Sequence, residues 1–144
     1  MRILLLFGLV SLAWTSPCLA RSDPRFQIEA VLSDSAKGWD AGNLDRFMAC
    51  YERGPATTYV SAGEVTHGYD DIKAKYSSRF AKPGSRSTLS VKVLVFRPLG
   101  FAYAYVIGQY ILRKDDLKGS EVTGLTTLLF HKTQGGWRIA ADDS

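Results

Sequence analysis

The chain has 144 residues, 46% of them hydrophobic and 22% charged, with a formal net charge of +4. That length suits one domain around one core. The cations are scattered rather than massed on one segment, which excludes a nucleic-acid surface built on a basic patch.

At the start, Arg2 precedes an apolar run from Ile3 to Trp14, and the small residues Cys18 and Ala20 stand just before Arg21. This pattern predicts a secretory signal peptide over residues 1–20, cleaved after Ala20. The apolar run is shorter than the roughly 20 residues that span a bilayer, so no stable membrane insertion is expected after cleavage. Acylation of Cys18 is the alternative, but Pro17 stands where such a site wants a small residue. The expected location is secreted or periplasmic, and residues 21–144 form the single domain. That domain keeps only Cys50, so it holds no internal disulfide even in an oxidising compartment. Cys50 reads as a buried packing residue.

Asp23-Pro24 is a helix start, with Asp as N-cap and Pro in the first turn. Phe26, Ala30, Val31 and Trp39 are expected on or near its buried face, with Glu29, Asp34 and Lys37 outside. Gly38-Trp39-Asp40-Ala41-Gly42-Asn43-Leu44-Asp45-Arg46-Phe47 closes this helix, turns at Gly42 and opens a short second one. Leu44, Phe47, Met48 and Tyr51 repeat there at helical spacing, and Gly54-Pro55 ends it. Ala56 to Ser61 is rich in Thr, Tyr and Val and reads as a strand, turned at Ala62-Gly63 into a hairpin with Glu64-Val65-Thr66. A third helix runs from Tyr69 to Phe80, with Asp70 and Asp71 in its first turn and Ile72, Tyr76 and Phe80 along one face.

Four strands follow, over Leu89 to Arg97, Phe101 to Arg113, Glu121 to Lys132 and Gly136 to Asp142. Their short connections make the neighbours antiparallel. Between Phe101 and Leu112 both alternating sets are apolar, unlike a sheet with one wetted face. Three helices cover one face, and a second copy of the chain is the simplest cover for the other, giving a homodimer.

The Trp39-to-Asp45 corner, the His67-Gly68-Tyr69-Asp70-Asp71-Ile72 entry to the third helix and the Gly136-Trp137-Arg138-Ile139 ending come in an order that resembles the SnoaL-like branch of the nuclear transport factor 2-like superfamily. The resemblance covers nearly all of residues 21–144. It implies an α+β fold in which a cone-shaped, curved antiparallel sheet wraps three N-terminal helices and leaves a pocket at its open end. It also implies dimerisation through the outer sheet face. The superfamily holds isomerases, cyclases, dehydratases and pure binding domains, so fold alone leaves function open.

Within that resemblance, Δ5-3-ketosteroid isomerases use an Asp base, a helix Tyr and a protonated Asp. The matching positions here are Tyr59, Ser35 and Thr127, which lack the carboxylates that reaction needs. The other pocket positions fall on Trp39, Tyr51, Tyr76, Tyr103, Tyr105 and Gln109, with Asp142 on the last strand. These imply a small apolar or aromatic ligand with one or two oriented polar atoms. Asp142 is the candidate general base or ligand anchor, and a strand-end ion pair with Arg138 is its plainer explanation. Asp143 occupies the place where many SnoaL-like chains carry His, which removes a side chain suited to proton transfer near neutral pH.

His67 and His131 are too few and too far apart for a zinc site. No phosphate-binding glycine loop, dinucleotide fingerprint or nucleophile elbow is present, so no metal and no cofactor are expected. The leading reading is a small-molecule-binding domain. A cofactor-free lyase or isomerase using Asp142, with Tyr59 or Tyr76 as donor to an enolate, is the second. An association module with a vestigial pocket is the third, and a solidly packed interior would favour it.

Overall fold

A computed structural model describes residues 23–81, 87–114 and 119–144. The expected signal peptide, its cleavage site and Cys18 lie outside the described residues. Helix α1 (Pro24–Asp40) begins where Asp23 accepts the Arg25 N–H at 2.9 Å with Pro24 behind it, satisfying one of the donors that every helix start leaves open. Its buried face carries Ile28, Leu32, Ser35 and Ala36. Phe26 is 67% exposed and Ala30 is exposed as well, so the buried stripe lies one step round from the face expected of the sequence.

Gly42 turns the chain with a positive φ of 65°, a conformation that costs glycine nothing. Asn43 then caps α2 (Leu44–Met48), accepting the Arg46 N–H at 2.9 Å. The two helices touch backbone to backbone at Gly38, where a Cβ would lie 2.4 Å from the Phe47 nitrogen. Strands β1 (Thr58–Ser61) and β2 (Glu64–His67) form the hairpin. Ala62 and Gly63 both take positive φ, as a tight two-residue loop matched to strand twist requires. Helix α3 (Tyr69–Phe80) follows and buries Tyr69, Ile72 and Tyr76.

The remaining strands are β3 (Ser87–Leu99), β4 (Tyr103–Lys114), β5 (Glu121–Thr133) and β6 (Gly136–Asp143). One six-stranded sheet runs β2-β1-β6-β5-β4-β3. Neighbours are antiparallel except β1 and β6, which pair in parallel with Tyr59 opposite Asp142. The helices lie on the inner face. Trp39, Phe47, Tyr76 and Phe80 form an aromatic cluster there, with ring centroids 4.8 to 5.5 Å apart. Such edge and tilted pairs each add about 0.5–1.5 kcal/mol beyond the area they bury.

Two bulges decide which side chains face inward. In β3 the register slips between Val93 and Val95, which leaves Leu94 exposed. In β6 Phe130 pairs with Ile139 but Leu129 pairs with Ala141, so Ala140 is the extra residue. Trp137 and Ile139 are buried. Strict alternation would put Asp142 on the opposite face from them, and the bulge instead turns it inward, an effect bulges commonly have near functional sites.

Candidate functional site

Between the inner sheet face and the three helices lies a cavity of about 180 Å³. Leu32, Trp39, Phe47, Leu89, Val91, Leu112, Leu128 and Ile139 supply apolar wall, and Tyr51, Tyr59, Tyr76, Thr126, Asp142 and Ser144 supply polar groups. Each comes from a different constraint of the fold. Tyr51 follows α2 in a short extended segment bridged to Ile139 of β6, Tyr59 faces Asp142 across the parallel β1–β6 pair, and Tyr76 lies one turn beyond Ile72 on the buried face of α3.

Asp142 is the hub. It is 6% exposed and accepts hydrogen bonds from the Tyr51 hydroxyl at 2.5 Å, the Thr126 hydroxyl at 3.0 Å and the Ser144 hydroxyl at 2.5 Å. These hydroxyls, rather than Arg138, are its partners, so the expected alternative of a strand-end ion pair is not what the fold makes. Burial raises the Asp142 pKa above the ordinary carboxylate value, while the donors from Ser144, Tyr51 and Thr126 pull against it. Burial also pushes the Tyr51 and Tyr76 phenols well above their usual range, with the nearby Asp142 charge as the next cause. Both tyrosines are therefore neutral hydroxyls at any ordinary pH.

Three donors occupy three of the roughly four acceptor positions of a carboxylate. Asp142 has one position left for a ligand or a substrate proton. That suits anchoring a single polar atom better than open acid–base exchange with solvent. Cys50 also borders the cavity, but burial lifts its thiol to about 12 and its hydrogen donates to the Phe47 carbonyl, so it is inert packing. Among the described residues no group of three His, Cys, Asp or Glu side chains is placed to hold a metal ion. No helix among them is long and apolar enough to cross a membrane.

The structure brings Trp39, Tyr51, Tyr59, Tyr76 and Asp142 together on the cavity, along with Ser35. It does not bring Tyr103, Tyr105, Gln109 or Thr127 there. Ala104 and Val106 of β4 are fully buried, and Gly108 sits where a Cβ would press on Thr126 and Val91 within 3.3 Å. The even-numbered residues of β4 thus face inward, and Tyr103, Tyr105 and Gln109 lie on the outer face. Tyr103 stacks on His131 there at 4.7 Å, and the His131 Nδ1 meets the Glu52 carboxylate at 3.0 Å. The same parity carries Thr127 outward and gives Thr126 its inner place, since Gly108 pairs with Thr126.

Arg79, Tyr110, Thr126 and Ser144 are among the lining residues that were not singled out from the sequence. For Arg79 a signal existed, because it stands seven residues beyond Ile72 on the same helical face. For Tyr110 and Thr126 the signal was strand parity, which two apolar faces concealed.

No family model matches the chain, and no curated protein matches it. Solved structures do. A nuclear transport factor 2-like protein of unknown function from Shewanella oneidensis MR-1 is 26% identical, with a TM-score of 0.77 over 84% of this chain and 98% of that one. A Thiobacillus denitrificans protein, named for the association domain of calcium/calmodulin-dependent protein kinase type II, is 20% identical, with a TM-score of 0.68 over 80% of this chain and 90% of that one. A nuclear transport factor 2-like superfamily protein from Salmonella enterica serovar Typhimurium is 18% identical, with a TM-score of 0.64 over 83% and 88% of the two chains. With its three helices packed in the concave face of one curved six-stranded sheet, the chain belongs to the nuclear transport factor 2-like superfamily.

Proposed function

We propose that the chain is a secreted or periplasmic small-molecule-binding protein that holds a small apolar or aromatic ligand in the inner cavity. The observation that carries this reading is the combination of aromatic and aliphatic walls with one concentrated polar cluster on Asp142. Ligand sites are typically apolar with a few placed polar groups. An apolar protein cavity of about 150 Å³ is large enough for benzene, so about 180 Å³ fits a single-ring compound. A cavity of this kind weighs against a purely associative module with a filled interior.

The outer face supports a homodimer. Tyr105, Ile107, Ile111, Leu129 and the exposed Leu125 share it, giving an apolar surface of the sort that marks an interaction site. The fold relative named for an association domain points the same way. Native mass spectrometry of the gently purified protein tests both parts. A dimer with a defined retained mass is expected. A monomer that stays empty and gains no mass from any single-ring compound would refute them.

A lyase or isomerase is the second reading, favoured by the raised pKa of a buried cleft carboxylate. It requires turnover that falls with Asp142→Asn and a rate that follows one ionisation. Binding without turnover across such a series removes it.

A further inference from the structure

Arg79 is the one cationic side chain among the described residues that line the cavity. It belongs to the last turn of α3, is exposed at the rim, and places its guanidinium carbon 5.4 Å from the centroid of the Tyr76 ring. The ion pairs among the described residues use Arg25, Arg46, Lys73, Lys75, Arg113 and His131. None uses Arg79. Its guanidinium lies over the phenol ring, and among the described residues no carboxylate pairs with it.

At the other end, Asp142 is a buried acceptor fed by three hydroxyl donors. A ligand carboxylate beside it would face a buried acceptor and lose its own hydration without gaining a cation. The cavity is therefore polarised, with a buried acceptor inside and an exposed cation at the rim. Resting on the ligand-binding reading above, we propose that the site takes small aromatic or alicyclic monocarboxylates, the ring seated against Leu32, Trp39, Phe47 and Leu128 and the carboxylate held at the rim by Arg79. The planar guanidinium edge matches a carboxylate through two parallel hydrogen bonds. A cation at the end of a helix also offsets the helix dipole, which is a structural use of Arg79 that the test must separate.

Three probes share one apolar body and differ in charge: 4-ethylbenzoate, 4-ethylbenzamide and 4-ethylbenzylammonium. Titrated into the purified protein by calorimetry up to about 10 mM, the benzoate is expected to bind about tenfold more tightly than the amide, with the ammonium weakest. Arg79→Gln should bring the benzoate down to the amide's affinity and leave the amide unchanged. Arg79→Lys keeps the charge but not the fork, and should restore part of the preference. A dipole role alone would lower the melting temperature of Arg79→Gln without changing the order of the probes, and that result overturns the proposal. Equal binding of benzoate and amide also overturns it and leaves ligand binding standing. Failure of all three to bind overturns both readings.

Discussion

Replacing Gly38 with Ala sets two known effects against each other at the corner where α1 meets α2. In an exposed helix the change gains about 1 kcal/mol, since glycine is a poor helix former. Here the added Cβ would stand 2.4 Å from the Phe47 nitrogen, 2.8 Å from the Arg46 carbonyl carbon and 2.9 Å from the Phe47 Cα. Ordinary contact needs roughly 3.5 Å or more. All three obstacles are backbone, so no rotamer change relieves them, and the helices must part by about 1 Å. Overpacking of that kind costs about 1–3 kcal/mol, occasionally more. The same shift strains the Ser35 hydroxyl bond to the Phe47 carbonyl, now 2.8 Å, and the Asn43 N–H bond to the Gly38 carbonyl, also 2.8 Å. A net loss of up to about 2 kcal/mol is expected once the helix gain is subtracted. Urea unfolding followed by circular dichroism measures it, with an unchanged slope marking a change in stability alone. A variant more stable than the parent would refute the backbone contact and with it the packing that aims Phe47 at the cavity.

Asp142→Asn should change how stability depends on pH. Because the folded-state pKa is raised, the native protein keeps this proton after the unfolded chain has lost it. The contribution is full below the ordinary value of 3.8 and is lost as pH rises through the folded pKa. Parent stability relative to the variant is therefore expected to fall as pH climbs from 3 toward neutrality, read from urea midpoints, and a flat or rising difference contradicts the burial argument. Tyr51→Phe removes a donor to a buried carboxylate and should cost about 1.5–3 kcal/mol. It should also steepen that fall, since the Tyr51 bond holds the Asp142 pKa down. A loss under about 0.5 kcal/mol by the same unfolding assay would show that the bond carries nothing. Leu125→Glu, at an exposed outer-face position, should leave the melting temperature of the monomer nearly unchanged and shift sedimentation from dimer to monomer. Retained dimer would move the proposed interface elsewhere.

Much of the fold could be read from residues whose role is local. Asp23-Pro24, Gly42-Asn43 and Ala62-Gly63 mark their turns and caps by backbone chemistry alone, and α3 runs from Tyr69 to Phe80 as its spacing indicates. The candidate site was legible where one side chain had a single apolar helix face to join, as for Trp39 and Tyr76. It was not legible in β4, because Ala104, Val106 and Gly108 look no more buried in sequence than Tyr105, Ile107 and Gln109. A strand apolar on both sides carries no parity, and a one-residue choice exchanges every side chain between faces. The small residues face inward because that face is crowded, as the tight surroundings of Gly108 show. Asp142 depended on the Ala140 bulge, which has no glycine or proline to announce it.

The isoleucine methyl groups offer the most direct test that the inner cavity, and not the outer sheet face, receives the ligand. Ile139 lines the cavity, whereas Ile107 and Ile111 lie on the outer face opposite Thr127 and Thr123. Protein labelled with carbon-13 at the isoleucine δ1 methyls, titrated with 4-ethylphenol, should show the Ile139 resonance moving and saturating together with the Trp39 indole N–H, while Ile107 and Ile111 stay fixed. Movement of Ile107 and Ile111 with Ile139 and Trp39 unmoved would contradict the account.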